Sequence, residues 1–257
     1  ACGIRGLLNI QYAVRDEHVF VIELNPRASR TVPFSSKATG VSLAKYASRI
    51  MAGEKISELR AQGLLPDENR TVDYYAVKEA VMPWSRFPGA DSILGPEMKS
   101  TGEVMGIART FPAAYAKTRE AVENKLPEQG SVFISVCDRD KRAIAPVAKA
   151  LENLGYGIYT TGGTAKTLRA AGIDCTTVNR ISDGHPNVVD LMRDRTVSFI
   201  INTPHGHEAH SDGTKMRAEA VSQGITCVTA MSAATALIQA LAAARKSEPE
   251  TFALQDL

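Results

Sequence analysis

No apolar run in this chain approaches the ~18–20 residues that a bilayer-spanning helix needs. The start, ACGIRGLLNIQ, lacks the basic region and long apolar core of a secretory signal. Neither a membrane-inserted nor an exported chain is therefore expected. Charge of one sign is also missing. Thirty Lys and Arg stand against 28 Asp and Glu, a net charge of +2, which gives no electrostatic case for nucleic acid or an anionic membrane. Cysteine is scarce. Cys2, Cys137, Cys175 and Cys227 are scattered with no C-x-x-C spacing, which argues against zinc or a disulfide framework and fits a reducing, cytoplasmic setting. An initiator Met is absent and a strand-like stretch begins almost at once, so a cut inside a larger domain is expected. Low-complexity tracts and internal repeats are absent too. What is present is ordinary globular composition, 44% hydrophobic and 23% charged over 257 residues, enough for one large or two medium domains.

Two structural regimes succeed one another. Residues 6–14 and 19–25 read as the strands of a hairpin, with Arg15, Asp16, Glu17 and His18 as a polar turn. Residues 41–52 have helical spacing, with Leu43, Tyr46, Ala47 and Ile50 on one stripe and Gly53 as the stop. Residues 73–82 and 101–108 look extended, a Pro- and Gly-rich loop from Pro83 to Pro96 lies between them, and residues 112–126 look helical. The run Pro127-Glu128-Gln129-Gly130 marks a boundary. It divides the chain into expected domains at 1–127 and 128–257. Beyond it strands alternate with helices. Strands are expected at Ser131–Val136, Tyr156–Thr161, Asp174–Asn179, Ser198–Thr203 and Thr226–Met231, with helices over 140–154, 164–171, 187–193, 212–223 and 232–245. Five strands so connected mean an α/β fold with a doubly wound parallel sheet, whose ligands collect at the carboxyl ends of the strands. The tail after Lys246 is polar and expected to fray.

The first chemical constellation lies in VFVIELNPRASR, residues 19–30. Val19, Phe20, Val21 and Ile22 have the pattern of a strand covered on both faces. Glu23 ends that run, where an acid is costly, and Asn25 shares its face because side chains alternate along a strand. Pro26 stops the strand, and Arg27 and Arg30 come next, close enough to clamp one anion. Carboxylate, amide oxygen and two guanidiniums suit a magnesium–phosphate centre. A surface ion-pair set is the plainer alternative.

The second lies in TTGGTAK, residues 160–166. Gly162 and Gly163 let the backbone approach a ligand, the helix start beyond offers free N–H groups, and Thr161 and Thr164 add hydroxyls. Physically this is a phosphate cradle, although the P-loop spacing is absent. It also suits a plain helix cap. Lys141, Arg180 and Asn202 follow or end other strands of the same sheet and belong on the same edge. The tract His205-Gly206-His207-Glu208-Ala209-His210 suits a solvated loop better than a metal site. Asp138, Asp140 and Asp183 suit surface pairing or turns better than general-base roles. Met51, Met82, Met98 and Met105 suit core filling.

IELNPRASRTVPFSSKATGVSLAKYASRIMAG (22–53) and YYAVKEAVMPWSRFPGADSILGPEMKSTGEVMG (74–106) resemble the large subunit of carbamoyl-phosphate synthetase, at the end of its second ATP-grasp half. Residues 131–245 resemble the allosteric domain that ends that subunit, of the methylglyoxal-synthase-like class. The likeness implies an α/β architecture: a truncated ATP-grasp C-terminal lobe, then a doubly wound five-stranded parallel sheet. It implies that the first half and most of the second ATP-grasp unit lie outside the chain.

The resemblance further implies an ATP-dependent ligase reaction, phosphorylation of carbamate to carbamoyl phosphate for pyrimidine and arginine synthesis. Magnesium or manganese would be held by Gln11, Glu23 and Asn25, with ATP bound through Gln11 and Glu23. Arg27 and Arg30 would face phosphate. The nucleotide effector site falls on Lys141, Thr161, Thr164, Arg180 and Asn202, for UMP or IMP, with Pro204 replacing a family threonine. An ornithine site falls on Glu79 and Thr229, with Cys227 replacing a family tyrosine. Implied partners are the glutaminase small subunit and the remainder of the large subunit. The isolated chain, on the competing reading, is a non-catalytic nucleotide-binding module. Methylglyoxal synthase and the purine cyclohydrolase domain share the second fold, but the catalytic aspartate motif of the one and the K-T-L-H-P stretch of the other are not found.

Overall fold

A computed structural model describes residues 2–67, 72–87, 91–95, 97–122, 127–204, 212–246 and 250–256. The chain opens with an antiparallel hairpin, β1 (Asn9–Arg15) and β2 (His18–Asn25). Its turn is tighter than the four polar residues suggest: Arg15 pairs with His18, leaving Asp16 and Glu17 at the tip, Asp16 at φ 55°. The apolar run of β2 is not covered. Val19, Phe20, Val21 and Ile22 are 64%, 53%, 61% and 65% exposed. Among the described residues nothing covers this run, so a pattern suited to double burial stands exposed.

Two short helices missed by periodicity come next in the chain. The segment α1 (Thr31–Thr39) tolerates Pro33 because its first turn needs no internal donors, and it stops at Gly40 with φ 71°. Beyond α2 (Leu43–Met51), whose stripe is the inward face as expected, α3 (Ile56–Ala61) is only six residues long, too short for a period. It is fixed instead by Leu59, fully buried, and by Lys55 N–H donating to Glu58 Oε2 at 2.7 Å. The strands β3 (Tyr75–Val81) and β4 (Gly102–Ala108) form a second antiparallel pair. Against β4 lies α4 (Phe111–Ala121). The approach is so close that a Cβ on Gly106 would stand 2.0 Å from the Ala114 carbonyl oxygen.

Pro127 to Gly130 are tied to the C-terminal half of the chain. Tyr156 Oη donates to the Pro127 carbonyl, Arg245 Nη2 to that of Glu128 at 2.6 Å, and Ser198 Oγ to that of Gln129 at 3.2 Å. Gly130 sits at φ 127° with Ser198 Oγ where a Cβ would go, so only glycine fits.

The third sheet is wholly parallel, with spatial order β7-β6-β5-β8-β9. Its strands are β5 (Ser131–Ser135), β6 (Gly157–Thr160), β7 (Thr176–Thr177), β8 (Phe199–Asn202) and β9 (Thr226–Val228). The third expected strand, 174–179, shrinks to two ladder residues at the sheet's edge. The helices are α5 (Lys141–Asn153), α6 (Gly162–Ala170), α7 (Val188–Arg193), α8 (Asp212–Gln223) and α9 (Met231–Ala244). Alternation along β5 and β8 decides the layers. Val132, Ile134, Phe199 and Ile201 face α5, α6 and α9 through Ile144, Leu151, Leu168 and Leu237. Phe133 and Ile200 face α7 and α8 through Met192 and Met216. These strand residues are fully buried, which is why β5 and β8 read as unbroken apolar runs.

Helix α4 packs on α9, with Tyr115 against the first of these cores. The tail expected to fray touches the same helix: Lys117 Nζ lies 4.5 Å from the centre of the Phe252 ring. No helix among the described residues is long and apolar enough to cross a membrane.

Candidate functional site

In the parallel sheet the chain runs outward from β5 to β6 and β7, then returns to β8 on the other side of β5. The loops leaving the carboxyl ends of β5 and β8 therefore diverge, and a crevice opens between them. A cavity of about 540 Å³ fills this place. Every sequence-chosen residue of the second constellation, Lys141, Thr161, Thr164, Arg180 and Asn202, lines it, and so does Pro204.

Each is put there by a strand end. Thr161 is the residue between β6 and α6, in extended conformation at the helix N-cap, with no side-chain cap bond. Its Oγ1 stands 3.5 Å from Ser135 Oγ. The backbone N–H groups of the first turn of α6 thus open toward the cavity with the positive helix end behind them. Thr164, 2% exposed, accepts from Val136 N–H at 3.4 Å and fastens the turn to the end of β5. A Cβ on Gly163 would stand 3.5 Å from Lys141 Nζ, so the ammonium lies over the glycine turn. Lys141 pairs with Asp138, itself 78% exposed. So exposed a pair is weak, and the ammonium can be drawn to a stronger anion at little cost.

Asn202 is anchored differently. Buried at 5% exposure, it donates Nδ2 to the Ser135 carbonyl at 2.9 Å and accepts at Oδ1 from Arg217 Nη1 at 2.6 Å. Arg217, on α8 and 3% exposed, also forks onto Asp91 through Nε at 2.5 Å and Nη2 at 2.6 Å. Burial is the largest influence on the Asp91 carboxyl and pushes it up. The Arg217 hydrogen bond, the Ile93 N–H and the Arg217 charge together outweigh it and hold Asp91 below the usual carboxylate range. One guanidinium therefore joins the cavity wall to the loop after β3. Sequence reading passed over both partners. The available signal was a cation at 217 between Met216 and Ala220, the inward residues of α8.

Asp140 accepts from the Cys137 thiol at 3.0 Å. That bond and the Thr203 hydroxyl hold its carboxyl below the usual range. Asp138 and Asp140 thus serve pairing and turns, as the sequence favoured. The His205–His210 tract lies outside the described residues, as does Pro96 of the loop.

In the hairpin, Gln11 stands directly opposite Glu23 and Asn9 opposite Asn25. Glu23 and Asn25 are two apart on β2. Ile22 is a bulged extra residue, since the register passes from Gln11↔Glu23 to Tyr12↔Val21. A bulge next to Glu23 is a common device for re-aiming a side chain beside a site. The donor chemistry, one carboxylate with two amide oxygens, fits a hard divalent cation that completes its shell with substrate oxygens, since magnesium is rarely enclosed by protein alone. Among the described residues no three His, Cys, Asp or Glu converge into another candidate. Arg27 and Arg30 occupy the turn between β2 and α1. Arg27 Nη1 donates to Ala28 O at 3.0 Å, and Arg30, at the N-cap of α1, reaches Ser100 O at 3.5 Å. Both are exposed at the positive end of that helix.

Glu79 and Thr229 meet at a second cavity of about 910 Å³, between the β3–α4 region and β9, with Cys227 in its wall. Burial pushes the Cys227 thiol up to about 12, so it is a neutral apolar lining group.

Comparison with known proteins gives matches over both regions. Residues 1–59 match the family described as carbamoyl-phosphate synthase L chain, ATP binding domain, and residues 143–229 match the MGS-like domain. The carbamoyl phosphate synthase large chain of Acidobacterium capsulatum is 47% identical over 251 residues, 97% of this chain and 23% of that protein. That of Pseudomonas syringae pv. tomato is 46% identical over 258 residues, 99% of this chain and 23% of that protein. The large chain, C-terminal section, of Methanocaldococcus jannaschii is 46% identical over 263 residues, 100% of this chain and 43% of that protein. The chain thus spans about a quarter to two fifths of the length of these relatives.

Proposed function

We propose, from the premise that this chain belongs to the carbamoyl phosphate synthase large-chain family as a counterpart of its C-terminal section, that it contributes to ATP-dependent phosphorylation of carbamate and carries the nucleotide effector site that regulates it. The reaction would supply carbamoyl phosphate to pyrimidine and arginine synthesis, with ammonia from a glutaminase subunit and the rest of the ATP site from the remainder of the large chain. The observation that supports the catalytic part is the register that sets Gln11 opposite Glu23, with Asn25 two residues along. Glu23, Gln11 and Asn25 would hold magnesium or manganese, and the bound ion would neutralise charge on the ATP phosphates. Arg27 and Arg30 would orient and neutralise the transferring phosphoryl group and its acceptor. Phosphoryl transfer is mostly positioning and charge stabilisation, so no side-chain nucleophile is required.

The regulatory part is supported by the cavity at the crossover between β5 and β8. A nucleoside monophosphate, UMP or IMP, would set its phosphate against the Thr161–Thr164 turn and Lys141, with Arg180 as a second cation. Binding to the folded state alone stabilises it by about 2.7 kcal/mol at a hundredfold excess over Kd. A melting-temperature rise with UMP or IMP is expected. The double variant Thr161→Ala, Lys141→Ala should lose it while melting like the parent without nucleotide. No shift with either nucleotide would count against the assignment.

The effector residues named above line one cavity within this chain, whereas among the described residues the apolar run of β2 is left exposed. The purified 257-residue chain is therefore expected to bind nucleotide but to form no carbamoyl phosphate from ATP, bicarbonate and ammonia. Product formation by the chain alone, in a radiolabelled bicarbonate assay, would contradict that division. Glu79 and Thr229 would line an amino-acid effector site in the second cavity.

A further inference from the structure

In the second cavity the carboxylate that an amino-acid effector would need is already engaged. Arg119, on α4, donates from Nη1 to Glu79 Oε1, and the two side chains are 11% and 23% exposed. A carboxylate so enclosed needs a counter-charge. Here the chain supplies it across 40 residues of sequence. The pairing is nevertheless incomplete. An Arg–carboxylate pair built for stability usually closes as two parallel bonds. In this one Glu79 Oε2 and Arg119 Nε are buried with no hydrogen-bond partner. Beside the pair, Tyr115 and Cys227 are both pushed up by burial and remain neutral. Thus, among the described residues, the charged groups lining this cavity are one acid and one base, joined by a single bond.

We propose that Arg119 is a resident cation, occupying the subsite that Glu79 would otherwise offer to the ammonium of a cationic amino acid, and that it makes this cavity refuse such ligands. The inference rests on reading Glu79 and Thr229 as an amino-acid effector site and determines the specificity of that site. An incoming alkylammonium would have to displace a tethered guanidinium or sit beside it as a second buried cation. The first competes against an intramolecular partner of high effective concentration, and the second is opposed by like charge at short range. Removal of Arg119 reverses the situation, because it leaves Glu79 enclosed and uncompensated, a vacancy shaped for a cation.

The test is chemical complementation read by melting temperature. The parent chain should not shift with ornithine or with ethylguanidinium, each at low millimolar concentration. Arg119→Ala should melt on the order of 10 °C lower and recover about half of that loss, saturably, with either cation. Arg119→Ala combined with Glu79→Gln should show no recovery, since the acid that recruits the cation is gone. Should Arg119→Ala fail to fold, Arg119→Gln, which retains most of the side chain's length, is read the same way. Rescue by ethylguanidinium without any by ornithine keeps Arg119 as the resident cation and removes the amino-acid reading of the cavity. Stabilisation of the parent by ornithine, or no rescue of the Arg119 variant by either compound, overturns the proposal.

Discussion

Glu23→Gln in the complete large chain is expected to lower carbamoyl phosphate synthesis by at least about a hundredfold, the usual cost of deleting one electrostatic group that acts on the transition state. Among Gln11, Glu23 and Asn25 the carboxylate carries the only formal negative charge, so the substitution keeps shape and removes most of the attraction for a divalent cation. Glu23 lies exposed on a hairpin in this chain, and a near-isosteric change at such a position costs within about 0.5 kcal/mol of stability. The two readouts therefore separate. A melting temperature equal to the parent's, with synthesis abolished, places Glu23 in the chemistry. Near-normal synthesis would make Glu23 a structural acid and remove the metal assignment with it. A loss of activity that tracks a loss of folded protein would do the same.

The juxtaposition of these three residues was legible from the sequence because its logic is local. Alternation puts Glu23 and Asn25 on one face, and a hairpin of the right length returns Gln11 opposite Glu23. The second constellation was legible for a topological reason. Five strands separated by helices place every strand end on one edge, so Lys141, Thr161, Arg180 and Asn202 had to meet although up to 61 residues apart. Burial was the part that misled. The run Val19–Ile22 has the composition of an interior strand, but composition reports what a segment suits, and covering layers must come from elsewhere. Helix α1 was missed because it carries no apolar stripe and buries no residue, and α3 because six residues give too few turns for a period; Leu59 fixes the latter by burial. The ion pairs Arg217–Asp91 and Arg119–Glu79 span 126 and 40 residues. No local pattern encodes such pairings; they arise because α8 faces the loop after β3 and α4 faces β3.

Arg217→Ala is expected to have the largest effect on stability of any single change at the nucleotide cavity. Arg217 is 3% exposed and serves two partners, forking onto Asp91 and holding Asn202 Oδ1. Its removal leaves a half-buried carboxylate without a counter-ion and an amide oxygen without a donor, a loss of about 3–5 kcal/mol for breaking a buried pair. In a chain of this size that corresponds to a melting temperature roughly 10 °C lower. Part of the loss depends on pH in a defined direction. The folded-state carboxyl of Asp91 is held below its ordinary value. Its stabilisation is therefore fully present above the unfolded-state pKa, ~3.9, and disappears as pH falls through the lower folded-state value. In Arg217→Ala the lone carboxylate gains by taking up a proton. The gap in melting temperature between parent and variant should accordingly be widest near pH 6 and narrow as pH drops below about 4. A gap that stays constant from pH 6 to pH 3 would show that Asp91 is not the group Arg217 supports. The same variant should weaken the nucleotide-induced rise in melting temperature, because Asn202 is then held only through Ser135. Asp91→Asn keeps the Arg217–Asn202 bond and should retain that rise while still losing stability. Equal loss of the nucleotide response in both variants would mean that the loop after β3, and not the Asn202 anchor, sets the shape of the cavity.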